Sequence, residues 1–183
     1  MLARPSPGLT YSTVDAFLAI ASRRDERRYL SEPLPEATVT RILDAGRLSG
    51  SSKNRQPWTF VLPSSRRRVD ALADVVWVPE NVRSAGLVVA IVVPGGSGAF
   101  DAGRAAQNML LAAWNDGVAS CPNGVRDAEG ARAALSLQGE EEVVIVLSFG
   151  RPGKSRDPES RDAAEWSARA NRRPLADVVR SVA

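Results

Sequence analysis

Leu87-Val88-Val89-Ala90-Ile91-Val92-Val93 is an unbroken apolar run dominated by β-branched residues. Even extended back to Ala85 it is far too short to span a bilayer. Its composition suits a strand buried on both faces. Val143 to Phe149 predicts a second buried strand, ended by Gly150. Between the two lies a strongly apolar helical stretch, Ala102 to Asp116, with Gly117 placed to close it. Around this frame, Ser12-Thr13-Val14-Asp15 reads as a capping box with Asp in place of Glu. It opens a helix whose apolar face is Val14, Phe17, Leu18 and Ala21. Pro35 fits the first turn of a helix over Glu36–Leu48. Trp58–Leu62 reads as a strand, Arg66–Val75 and Asp127–Leu135 as helices, Gly153–Pro158 as a polar loop, and Asp162–Ala170 as helical. The first dozen residues read as an arm, and Pro174–Val182 as a C-terminal segment. Strands and helices alternate without repeat or linker, so the 183 residues predict a single α+β or α/β domain.

Composition removes several chemistries. The chain has no His, which excludes Ser-His-Asp and Cys-His catalysis and the common His-based zinc sites. Its lone Cys121 excludes an internal disulfide. The charge of +3 comes almost entirely from Arg, a skew that fits solvated helix surfaces better than nucleic-acid binding. The first residues lack the long apolar segment of a signal peptide, so the cytoplasm is the expected compartment.

Ser49-Gly50-Ser51-Ser52-Lys53-Asn54-Arg55-Gln56-Pro57-Trp58 carries the most information. Small hydroxyl residues and a Gly at a helix end leave backbone N–H groups open to a planar or anionic ligand. Asn54 and Gln56 add amide donors and acceptors, and Trp58 a flat apolar surface. The segment resembles the Pro-Ser-Ser-x-Asn-x-Gln-Pro-Trp loop of the flavin-dependent nitroreductase family, with Gly50 where that pattern has Pro. One helix earlier, Arg23-Arg24-Asp25-Glu26-Arg27-Arg28-Tyr29 is similar to the family's Arg-Arg-Ser-x-Arg-x-Phe signature. Taken alone, it reads as a solvated helix end in which Arg complements the macrodipole. Asn171-Arg172-Arg173-Pro174-Leu175 is similar to the family's closing motif. Ser120-Cys121-Pro122-Asn123-Gly124-Val125 reads as a turn, in the place where the family passes a backbone N–H to the flavin.

The resemblance extends over about Val14 to Val179 and implies a nitroreductase-like three-layer α+β sandwich, its central, mainly antiparallel sheet flanked by helices. It implies a homodimer with shared flavin sites, FMN as cofactor and NAD(P)H as transient electron donor. By the same resemblance, Arg23 and Arg27 hold the flavin phosphate, joined by Arg172. Arg24 and Asp25 reach the ribityl chain or ring edge. Asn123 and Gly124 face the reactive nitrogen. Ser49, Gly50, Ser51, Ser52, Asn54 and Gln56 reach the partner's flavin. Lys53 or Arg24 would supply positive charge near the ring's pyrimidine edge, and Gln107-Asn108 would lie close to the flavin. No dinucleotide fingerprint is present, so NAD(P)H would visit the flavin itself, in ping-pong hydride transfer to a nitroaromatic or quinone. No side chain is singled out as an acid, a base or a metal ligand. With no His and no neighbouring basic group, Cys121 reads as a packing residue. Two other classes fit the residues: a flavin-binding or deazaflavin-binding protein of this fold without nitroreductase turnover, and a basic interaction module.

Overall fold

The computed structural model describes residues 15–95, 97–154 and 157–182. The expected N-terminal arm, and Ser12 to Val14 of the expected capping box, lie outside the described residues. The first helix, α1 (Ala16–Ser22), is instead capped by Asp15, whose carboxylate accepts from the Phe17 and Leu18 N–H groups. There follow β1 (Tyr29–Leu30), α2 (Glu36–Arg47), β2 (Thr59–Val61) and α3 (Arg66–Ala73). Then come α4 (Pro79–Arg83), β3 (Leu87–Val93), α5 (Ala99–Asn115) and β4 (Ala119–Asn123). The chain ends with α6 (Ala128–Leu135), β5 (Glu142–Pro152) and α7 (Ala163–Ala168). Ser65, Asp127 and Asp162 cap α3, α6 and α7 through their side chains, Asp162 in a reciprocal box with Glu165.

Every strand pairing is antiparallel. β5 is the hub: it pairs with β3, β4 and β1, and β2 extends the sheet from β3. The apolar run of β3 alternates strictly. Val89, Ile91 and Val93 join one core, with α2 and α5; Val88, Ala90 and Val92 join the other, with α3 and α6. This period of two places helices on both faces and makes three layers. Each fully buried aliphatic side chain contributes about 1.5–3 kcal/mol, which is why a continuous apolar strand was needed. α2 lies close against α5 because Gly46 has no Cβ, which would collide with Met109 and come within 2.9 Å of Phe60.

Two expectations are corrected. β5 does not end at Gly150 but runs through it to Pro152, because the Tyr29 ring occupies the space a Gly150 side chain would need. The turn expected over Ser120–Val125 is largely strand β4, paired with β5 from Ala119↔Gly150 to Asn123↔Val146. Pro122 is tolerated there because β4 pairs on one side alone.

Candidate functional site

The arginine motif leaves the C-terminal end of α1 as extended chain. The Glu26 N–H donates to Ser120 O at 3.0 Å, which seats Arg23 to Arg27 against β4. Within it, Arg23 is mostly buried, and one Nη pairs with Asp25 at 2.8 Å. The other, Nη1, is buried without a hydrogen-bond partner among the described residues. Asp25, expected beside a ribityl chain, is therefore tied to Arg23. Arg24 is an anchor of α7: its guanidinium donates to Ala21 O, Arg23 O and, at 3.0 Å, Trp166 O, and lies over the Trp166 ring.

The Arg27 side chain reaches the Cys121 thiol. A basic group therefore does stand beside Cys121, contrary to the expectation from local sequence. Burial nonetheless dominates and pushes the thiol above its ordinary value, with the Arg27 hydrogen bond pulling the other way. Cys121 is thus a protonated packing residue.

β4 then delivers Asn123 and Gly124. Asn123 is a buried strut: its Nδ2 donates to Cys121 O, Val146 O and Ser148 Oγ at 3.0–3.1 Å, while its Oδ1 accepts from Asn81 at 2.9 Å. Gly124 O accepts from the Trp77 N–H at 3.2 Å. A Cβ at Gly124 would stand 3.2 Å from the Trp77 indole, a tight contact that a side chain there would press on. Tyr29 fastens the same corner, its hydroxyl sharing hydrogen bonds with Ser148 Oγ at 2.8 Å and Glu26 O at 2.8 Å. Burial drives the Tyr29 pKa well above that of an ordinary tyrosine.

The Ser49–Trp58 loop lies along α5, from Asn108 in its middle to Asp101 near its start. Ser49 Oγ accepts from Asn108 Nδ2 at 2.7 Å, and the Ser52 N–H donates to Asp101 Oδ2 at 3.2 Å. Ser51 Oγ accepts from the Gln56 N–H at 2.8 Å. Lys53, Asn54 and Gln56 all have positive φ, 50–53°. Non-glycine residues rarely hold that region unless the surroundings enforce it. Asn54 and Gln56 are exposed, and Gln56, Trp58 and Phe60 border a recess of about 500 Å³ against α2. At the far end of α5, Trp114 Nε1 donates to Ser22 Oγ beside the arginine motif. With a rise of about 1.5 Å per residue, Asp101 and Trp114 are roughly 20 Å apart along α5. The structure therefore seats Arg23, Asp25 and Arg27 against β4, the strand that carries Asn123 and leads into Gly124, while the Arg24 side chain turns to α7. Ser49 to Gln56 form a separate group along α5. Arg172 is exposed and has no hydrogen-bond or ion-pair partner among the described residues, while Arg173 donates to Asp177 O.

A model of the nitroreductase family matches residues 20–92 and 96–151. The chain belongs to the nitroreductase family. An NADH dehydrogenase/NAD(P)H nitroreductase of Methanothermobacter thermautotrophicus is 28% identical over 82% of this chain and 83% of its own length. Among solved structures, a nitroreductase family protein from Clostridium difficile superposes with a TM-score of 0.77, at 20% identity over 91% of this chain and 98% of its own. An NADPH:FMN oxidoreductase from Vibrio harveyi, solved with NAD+, gives 0.75, at 22% identity over 89% of this chain and 75% of its own. The nitroreductase fold is thereby shown, with its antiparallel α+β sheet.

Two contributors to the candidate site were missed in the sequence. Asp101 reads as a carboxylate complementing the first turn of α5, and only the fold reveals that it holds Ser52. Asn81 lies on α4, too short at five residues to leave a periodic pattern.

Proposed function

We propose that this protein is an FMN-dependent oxidoreductase that takes hydride from NAD(P)H and delivers it to a small oxidant such as a quinone or nitroaromatic. The observation that carries the reading is the buried Nη1 of Arg23, without a hydrogen-bond partner among the described residues, in a segment seated on β4 where Arg23 and Arg27 both act on Cys121. An unsatisfied buried guanidinium donor costs several kcal/mol in a native fold unless a ligand meets it. A phosphate is the acceptor best matched to paired guanidinium groups. The residues present therefore fit the flavin phosphate. Arg23 and Arg27 would hold it, while Asn123, fixed by its four hydrogen bonds, would hold Gly124 as bare backbone toward the ring.

When bound, flavin supplies the hydride chemistry, and the protein supplies binding, orientation and charge. That division suits a chain in which no side-chain acid or base was singled out. Asp25 holds the Arg23 guanidinium in place through its second Nη. Arg24 keeps α7 against α1.

The loop at Ser49–Trp58 would serve the flavin of a second copy, since α5 separates it from the arginine motif of its own chain. Exposed Phe17 and Ile20 on α1, with Leu175, Val178, Val179 and Val182 near the C-terminus, form apolar surface that a homodimer would cover. The test is the visible spectrum of the purified protein, followed by anaerobic NADPH and NADH. A flavin spectrum that bleaches supports the reductase. A persisting flavin spectrum indicates a flavoprotein without this turnover. A colourless protein that takes up no added FMN overturns the proposal.

A further inference from the structure

The departure at Gly50 has a structural counterpart on α5. A Cβ built on Gly50 would stand 2.7 Å from Arg104 Nη2 and 3.4 Å from Arg104 Nη1 and Cζ, so the guanidinium rests on the bare backbone of the loop. Pro, the residue of the family pattern, would displace it. The nearest carboxylate, Asp101, lies 3.7 Å from Arg104 Nη1 and already accepts from the Ser52 N–H. Arg104 is 47% exposed, and a guanidinium carries five N–H donors, so its outer edge faces solvent with donors to spare. The loop it sits on contributes Lys53 and Arg55, both exposed, and no carboxylate from Ser49 to Trp58. Arg104 thus has only one carboxylate within reach, itself committed to Ser52, and the adjoining loop adds two further cations and no anion.

We propose that Arg104, seated on Gly50, is a specificity-determining residue that gives this site a preference for substrates carrying an anionic group. The inference rests on the oxidoreductase reading above and names the charge of its substrate. The recognised chemistry is a carboxylate or phosphate held by the fork of the guanidinium, with Lys53 adding long-range attraction. The anion has two possible sources: a carboxylate on the oxidant, or the 2′-phosphate of NADPH.

The test uses the full chain loaded with FMN. Flavin uptake is measured first for the wild type and for Arg104→Gln, and failure of both to bind FMN would sink the oxidoreductase reading itself. Dissociation constants for 4-nitrobenzoate and the neutral 4-nitrobenzyl alcohol are then read without electron donor, from perturbation of the flavin absorbance. KM is compared for NADPH and NADH. The wild type is expected to prefer an anionic ligand by about tenfold, a value set by one partly exposed charge-assisted contact. Arg104→Gln should erase that preference, and Arg104→Lys should retain part of it. Loss confined to the nitrobenzoate pair assigns the anion to the oxidant, and loss confined to NADPH assigns it to the donor. Unchanged ratios for both pairs in Arg104→Gln, or no preference in the wild type, would overturn the proposal.

Discussion

Arg23 gives one Nη to Asp25 and keeps the other buried without a hydrogen-bond partner among the described residues. Replacing it with Gln should weaken FMN binding at least about tenfold, the effect of one charge-assisted bond. Titration of FMN fluorescence with the apoprotein checks this, and an unchanged Kd would move the phosphate elsewhere. Tyr29 gives a second prediction. Its neutral form is favoured in the fold, since burial raises its pKa. Its contribution to stability is therefore full below pH 10, the ordinary value, and lost as pH rises through the folded pKa. Melting curves should show Tyr29→Phe less sensitive to alkali than the wild type above pH 10. An absorbance titration near 295 nm should lose its late, alkaline phase in the same variant. The arginine motif was legible in sequence because its spacing is local. That Arg23 keeps an orphaned donor while Arg24 turns to Trp166 was not, since Trp166 is distant in sequence and comes near only when α7 packs on α1.

α2 and α5 meet where Gly46 leaves room for Met109 and Phe60. Gly46→Val would add two methyl groups and a β-branch at this contact. Overpacking should destabilise the protein by about 1–3 kcal/mol, read as a lower urea midpoint at unchanged m-value. Long periodic elements were readable in the chain: β3 was expected over Leu87–Val93 and spans those residues. α5 starts three residues before its expected first residue, because Gly98 in left-handed geometry opens it. β4 was hidden because Pro122 and Gly124 carry turn signals that local reading cannot separate from an edge strand. β5 was cut short for a related reason. Gly150 looks like a breaker until Tyr29 is seen packed on it.

At the scale of the whole molecule, α5 holds Ser52, anchored on Asp101, and the arginine motif, anchored at Trp114, at points roughly 20 Å apart along its axis. If a second copy completes each site, two defective chains should rescue one another. Arg23→Gln mixed with a variant disabled in the loop, such as Ser52→Pro, is expected to regain one intact site per mixed dimer. Equilibrium flavin binding after co-refolding measures it, and no recovery would mean that each chain builds its site alone. Sedimentation of the untreated protein should likewise give twice the chain mass. Ser52→Pro removes the N–H that Asp101 receives, so it disables the loop without touching the arginine motif.

The same helix dictates where chains of this architecture are free to change length. Adding one residue inside α5 would rotate everything beyond it by about 100° and move it about 1.5 Å. Ser52 on Asp101 at one end and Ser22 on Trp114 at the other would then no longer stay in phase. A polar loop between elements carries no such phase. Growth and loss of residues during divergence would be channelled into loops of that kind, and the span of α5 would act as a fixed gauge for the distance between the Ser52 and Ser22 anchors at its two ends.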